Sequence, residues 1–298
     1  MTTRFAQIDL SQLPAPEVIE PLDYEALLAE MKAYAAERDP DLGAVLELES
    51  EPAVKVLQAA AYFRMLDRAR VNDAARAVLL PHATGTDLDN LAALLGVARL
   101  VVTPGDLDAA PPVAPIMESD ARFRARAQLS LQAYSSGGPA GAYRYWAMTA
   151  SADVLDAVVD SPNPGEVRVV VLKDPSSAMD DAVLVQTVTD VVTHEDIRIL
   201  CDNVYVQMPT FLPVTVEAHL DILDGPDPAP VIAAAEAALD AYLTQTYRLG
   251  GSVTRSGLMA ALHQEGVREV SLIAPAASVN AADDEVPQVT QITITEAV

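Results

Sequence analysis

The hydrophobic period of this chain changes near residue 150, and that change limits the folds open to it more than any other feature. Before it, apolar residues recur at helical spacing; after it, short Val-rich runs and strict alternation take over. The clearest alternation sets Val214, Val216, Ala218, Leu220 and Ile222 against Thr215, Glu217, His219 and Asp221. Successive side chains of a strand point to opposite sides, so this pattern gives one buried face and one wet face. The chain therefore reads as α+β and multidomain, a helical N-terminal region followed by small mixed α+β domains. Its 298 residues also exceed the roughly 100 to 200 of one ordinary domain.

Pro14, Pro16 and Pro21 mark an extended arm. Asp23 is placed to cap a helix bearing Tyr24, Leu27, Leu28, Met31 and Ala35, which stops at Asp39-Pro40. A longer helix from Glu51-Pro52 to about Leu80 carries Val54, Leu57, Ala61, Met65 and Ala69 on one face. Internal core is the default reading of that face. Its length also leaves room for an intermolecular bundle, which makes it the candidate partner-helix face. Past Pro81, Thr86 is expected to cap a short helix that Gly96 ends. Pro104, Gly105, Pro111, Pro112 and Pro115 disfavour helix and central strand alike, so a linker or extended loop is expected there.

Ser119 then opens a helix to about Tyr134, Gly137-Gly138 breaks it, and a second helix runs to Met148. Two strands follow at Val154 to Val159 and Val167 to Leu172, joined by the turn Ser161-Pro162-Asn163-Pro164-Gly165. A helix near 178–194 and a strand at Val204 to Val206 complete this part. Beyond the alternating strand come a Pro-rich turn at 226–230, a helix bearing Val231, Ala235, Leu239 and Tyr242, a helix near 253–264, and a strand at Val267 to Ile273. A mobile acidic loop at Asp283 to Glu285 is expected before a terminal strand at Gln291 to Thr295. The boundaries read from this pass are an arm and helical bundle region (1–103), a Pro-rich linker (104–118), a central α+β domain (119–208) and a C-terminal α+β domain (209–298). No internal repeat is evident.

Charge and residue chemistry narrow the function. With 43 acidic against 19 basic residues the formal charge is −24, the wrong sign for neutralising nucleic-acid phosphates or anionic lipid. Protein partners remain. No apolar stretch approaches the ~20 residues of a bilayer span, and the first residues lack the positive and apolar regions of a secretory signal. Cys201 is the single cysteine, so no intramolecular disulfide is possible, and four scattered histidines make no standard zinc cluster. A reducing cytoplasm fits.

No catalytic, cofactor or metal constellation is expected. His194-Glu195-Asp196 point in different directions from a helix, and His82 and His263 stand without Cys or His neighbours. Glu217, His219 and Asp221 share one strand face, where a wet surface is the simpler reading than a cation site. Ser135-Ser136-Gly137-Gly138 lacks the lysine and spacing of a phosphate loop, and Gly250-Gly251-Ser252 is not a nucleophile elbow. The acidic neighbour Asp202 disfavours a thiolate at Cys201, which suits packing better than reactivity. Arg122, Arg124 and Arg126 fan around a helix by about 200° per step of two residues, so pairing with acidic neighbours or partners is expected rather than one anion site.

Leu13-Pro14-Ala15-Pro16, Leu46-Glu47-Leu48-Glu49-Ser50-Glu51-Pro52, Arg70-Val71-Asn72-Asp73-Ala74-Ala75-Arg76-Ala77 and above all Thr84-Gly85-Thr86-Asp87-Leu88-Asp89-Asn90-Leu91 resemble the baseplate J family, the wedge proteins of contractile phage tails. Asp120-Ala121-Arg122-Phe123-Arg124, Gly138-Pro139-Ala140-Gly141-Ala142-Tyr143, Ser161 to Gly165 and Tyr247-Arg248-Leu249-Gly250 continue the likeness in order over nearly the whole chain. The resemblance implies a structural wedge subunit set around the tail hub in a virion baseplate assembled in the host cytoplasm. It implies as partners a second baseplate wedge protein bundled with the N-terminal helices, further copies of this chain, and a sheath initiator or lysozyme-like baseplate protein. It implies no cofactor. Two other classes compete. A hydrolase would bring Glu217, His219 and Asp221 together in a concave pocket, and a receptor-binding tail module would be built of repeated all-β elements.

Overall fold

A computed structural model of the protein describes residues 10, 13, 14, 16, 20–106, 108–135, 137–223, 225 and 227–297. Most of the expected N-terminal arm, Ala15, Ser136 and Pro226 lie outside these residues. The chain forms two compact units, one of residues 1–98 with 119–124 and one of 99–118 with 125–298.

The first unit is helical. α1 (Tyr24–Arg38) starts at Asp23, whose carboxylate accepts the Ala26 N–H at 3.0 Å, and a single turn α2 (Leu42–Val45) follows. α3 (Pro52–Ala77) begins with proline at its first turn, where the missing donor costs nothing. Leu27 and Leu28 of α1 pack on Ala61 of α3, with Tyr24, Met31, Leu57 and Met65 around them. Asn72, 2% exposed, accepts the Glu20 N–H at 3.0 Å and donates to the Glu20 carbonyl at 2.7 Å, pinning the end of the arm to α3. α4 (Gly85–Ala93) begins one residue before the expected cap. Thr84 occupies the cap position without a side-chain bond, and Thr86 lies inside the first turn. Gly96 follows α4 at φ +69, a conformation that costs glycine nothing.

The second unit opens with β1 (Val101–Thr103) and β2 (Ile116–Met117), antiparallel, with a further bridge between Asp106 and Val113. The segment expected as a linker is thus a short hairpin. Its prolines do not prevent this because a two-stranded ribbon leaves one side of each strand unpaired. α5 (Asp120–Ala133) places its first turn in the first unit and the rest in the second. α6 (Ala140–Ala150) comes next, with Pro139 at its cap position. β3 (Val154–Asp160) pairs antiparallel with β4 (Glu166–Lys173), α7 (Asp181–Val192) crosses over, and β5 (Asn203–Gln207) lies parallel to β4. Val169 to Leu172 of β4 are fully buried.

β6 (Thr210–Ile222) is the alternating strand. Val214, Val216, Ala218 and Leu220 are buried as the period requires. α8 (Pro228–Thr246), β7 (Ser252–Val253) and α9 (Arg255–Leu262) precede β8 (Val267–Ala274), β9 (Val279–Asn280) and β10 (Glu285–Glu296). β6 lies between β10, parallel, and β8, antiparallel. Val231, Ala235 and Leu239 of α8 and Leu258 and Leu262 of α9 close over its buried face.

The two three-stranded sheets share packing. Val170 and Leu172 of β4 form one cluster with Leu249 and Val286. The acidic loop before β10 is tied down rather than mobile: Asp284 lies 3.0 Å from Arg168, which also holds Asp160 at 2.5 Å, and the Asp284 carbonyl accepts the Thr210 N–H.

One charged pair lies in the interior. Arg126 meets Glu118 at 2.7 Å with side chains 1% and 0% exposed. Glu118 also accepts the Leu100 N–H with its carboxylate and an Arg99 N–H with its carbonyl. The expected acidic partner of Arg126 is therefore present, whereas Arg124 bonds backbone carbonyls instead.

Replacing Glu118 with Gln strands a buried guanidinium, and chemical denaturation is expected to show a loss of about 3–5 kcal/mol; replacing both partners by apolar residues costs less. The Arg168 guanidinium holds the Asp160 carboxyl below its ordinary pKa. A depressed folded-state pKa stabilises above the unfolded value, near about 3.9, and the contribution disappears as pH falls through the lower folded value. The melting-temperature difference between wild type and Asp160→Asn is expected to be present at pH 7 and to shrink below about pH 4.

Candidate subunit interface

α3 carries two apolar stripes on opposite sides. The first is the stripe singled out in the sequence: Val54 and Ala61 are fully buried, Leu57, Met65 and Ala69 partly so. α1 covers the middle of this face, around Leu57, Ala61 and Met65. The second stripe was missed because small and aromatic residues interrupt its period. Val56, Phe63, Leu66 and Val71 stand 68%, 63%, 43% and 57% exposed, with Tyr62 beside them at 49%. Val56 and Phe63 sit roughly half a turn from Val54 and Ala61, with Leu66 and Val71 roughly 100–120° from Val54 on either side. Lys55, Arg64, Arg68, Arg70 and Arg76 outnumber Asp67 and Asp73 along the same helix, within a chain that is acidic as a whole. An exposed apolar row with a basic fringe is a surface suited to a protein partner.

The Thr84 to Leu91 motif has a different role. The Gly85 N–H donates to the Asp120 carboxylate at 3.0 Å, and Arg124 donates to the carbonyls of Leu80 and Ala83 at 2.7 and 2.6 Å. Leu88 is fully buried, Asn90 donates to the Thr86 carbonyl at 2.9 Å, and Asp87 sits in the first turn where a negative charge suits the helix dipole. Gly85 adopts φ +52, which a side chain at that position would oppose. Within Thr84, Gly85, Thr86, Asp87, Leu88, Asp89, Asn90 and Leu91, Gly85 thus ties the start of α4 to the first turn of α5.

The residues weighed for chemistry stay apart. His194 lies 3.5 Å from Asp196, both on the surface. His219 bonds Thr295 at 2.6 Å, and Asp221 pairs with Arg268 at 3.3 Å. Among the described residues no group of His, Cys, Asp and Glu is placed to hold a metal ion. A cavity of about 600 Å³ is lined by the end of α5, α6 and residues 196–201, with Tyr143, Trp146 and Cys201 in its wall. Glu217, His219 and Asp221 do not line it. Tyr143 donates to Asp202 at 2.9 Å and accepts the Ile199 N–H, and burial first, then the Asp202 carboxylate, raises its pKa. A phenol held protonated in this way is a fastening for the loop.

Asp120→Ala removes the acceptor at the start of α4, and equilibrium denaturation is expected to show a loss of about 0.5–2 kcal/mol. Asp120→Asn, which keeps an oxygen there, should recover most of it.

Three family descriptions match the chain in order: Baseplate J-like N-terminal domain over residues 49–106, Baseplate J-like central domain over 135–208, and Baseplate J-like protein C-terminal domain over 214–295. Baseplate protein J of Escherichia phage P2 is 41% identical over 277 residues, covering 91% of this chain and 92% of the relative. A chain in the cryo-EM structure of the anti-feeding prophage (AFP) baseplate is similar at TM-score 0.40 and 16% identity, with 60% of this chain and 43% of that one covered. An ordered match of all three domains, together with that identity from end to end, places this chain in the baseplate J family.

Proposed function

We propose that this protein is a structural wedge subunit of a contractile-tail baseplate, joining other wedge proteins in a ring around the tail hub and helping to transmit the contraction trigger. The observation that carries this is the near full-length relation to the phage P2 baseplate protein J. The outer stripe of α3 supports it from geometry, because Val56, Phe63, Leu66 and Val71 gain cover only from another chain or from residues not described. A second wedge protein bundled against this stripe is the first partner; further copies of this chain, a sheath initiator or lysozyme-like protein and the tail hub are the others. The proposed domain organisation is an arm and helical bundle region (1–103), a Pro-rich connecting segment (104–118), a central α+β domain (119–208) and a C-terminal α+β domain (209–298). Its place is the virion baseplate, with assembly in the host cytoplasm. The role is mechanical: interfaces hold one arrangement until a signal repacks them.

The hydrolase reading lacks its geometric requirement, since Glu217, His219 and Asp221 lie on an open strand face with Asp221 and His219 engaged elsewhere.

Light scattering after size exclusion, on this chain alone and co-expressed with the product encoded immediately downstream, tests the proposal. A complex of defined ratio is expected. Phe63→Ser with Leu66→Ser is expected to abolish it while leaving stability within about 0.5 kcal/mol, as for exposed positions. Indifference to every tail partner overturns the reading.

A further inference from the structure

The β3-β4-β5 sheet and the β10-β6-β8 sheet have no strand in common, and the chain passes from one to the other through Met208 and Pro209 alone. Where the sheets meet, Val170 and Leu172 of β4 pack on Leu249 and Val286, which are 8% and 0% exposed. Arg168 lies on the same face of β4 as Val170 and Leu172, and Asp284 stands two residues before Val286. Arg168 Nη1 donates to Asp284 Oδ2 at 3.0 Å, so an ion pair closes the same joint. The loop that carries Asp284 belongs with β6 and β10, because the Asp284 and Glu285 carbonyls accept the Thr210 and Gly250 N–H groups and β10 begins at Glu285.

This ion pair is asymmetric. Arg168 Nε and Nη2 also donate to the two oxygens of Asp160 at 2.8 and 2.5 Å, and Asp160 is the register partner of Arg168 within its own sheet. A guanidinium released by Asp284 therefore keeps a two-bond carboxylate partner, and Asp284, whose side chain is 33% exposed, regains water. The negative charge of Asp160 beside the guanidinium also weakens its pull on Asp284. Release of Asp284 strands no charge, whereas parting Leu249 and Val286 from β4 uncovers apolar surface.

We propose that Arg168 is a latch with two settings: shut, holding Asp160 and Asp284 together, and open, holding Asp160 alone while the two sheets part about Met208 and Pro209. A hinge consists of a few element-terminal residues that take up a rotation, and the two-residue connection between β5 and β6 is of that kind. The apolar packing keeps the shut setting the major one, and the ease of releasing Asp284 sets how much of the open form accompanies it. A purely structural ion pair loses hold when either carboxylate is removed. The latch answers the two removals in opposite directions: Asp284→Asn frees the joint, whereas Asp160→Asn leaves Asp284 as the carboxylate on which Arg168 depends and tightens it. The inference does not depend on a baseplate role.

The test reads opening as thiol exposure in the full chain. In a Cys201→Ser background, Val286→Cys places a thiol in the joint, and Val216→Cys places one in the core of β6, α8 and α9, where only general unfolding exposes it. The ratio of the two labelling rates therefore reports the joint alone. Asp284→Asn is expected to raise that ratio about twofold to fivefold, as for a partly exposed ion pair, and Asp160→Asn to lower it. Added salt is expected to raise the ratio while Asp284 is present and to lose this effect in Asp284→Asn. Leu249→Cys repeats the reading from a second position in the joint. A ratio that Asp284→Asn leaves unchanged, or that both carboxylate variants raise alike, overturns the inference; neither result touches the downstream-product complex.

Discussion

Glu118 and Arg126 face each other with almost no water in reach, and the start of the second unit is organised around them. Removing water from two charges costs several kcal/mol apiece, so such a pair persists only where every lone pair and proton finds a partner. Here the Glu118 carboxylate takes two guanidinium bonds and the Leu100 N–H, while its carbonyl takes Arg99. The hairpin beyond it cannot hold itself: the residues of β1 and β2 are all exposed, and an isolated two-stranded ribbon is marginal in water. Its base is fixed by the ion pair, which also fixes where α5 runs past that base.

Elsewhere the structure is held by small apolar residues. With aromatics at 5%, the C-terminal core is a layer of Val, Ala and Leu from β6, α8 and α9, and shape complementarity has to come from close approach rather than large rings. Such cores leave apolar rows uncovered where the chain runs out of elements to cover them. The outer stripe of α3 is such a place, and it lies where the strongly acidic chain is locally basic. A subunit that must join others without aggregating has reason to concentrate its exposed apolar surface there.

Some residues of the motifs that carry the family likeness tie together segments far apart in sequence. Gly85 donates to Asp120, Arg124 donates to the Leu80 and Ala83 carbonyls, and Asn72 clasps the backbone of Glu20. These hydrogen bonds fix distant segments of the chain against one another.

Period alone determined the α+β class, the buried face of β6, the hairpin of β3 and β4, and caps such as Asp23, because these depend on neighbours within a few residues. Composition likewise determined the acidic surface and the single thiol. The tertiary structure decided what local pattern cannot encode: which α3 stripe is core, since that depends on where α1 folds back, and that Asp120 rather than a local hydroxyl receives the Gly85 N–H. It also turned an expected linker into a hairpin and an expected mobile loop into an anchored one. In both cases the partners, Glu118 with Arg126 and Asp284 with Arg168, are side chains whose charges are visible in sequence but whose meeting is set by chain reversal. Local sequence fixes which face is apolar; only the folded chain decides what covers it, because burial is a property of proximity in space.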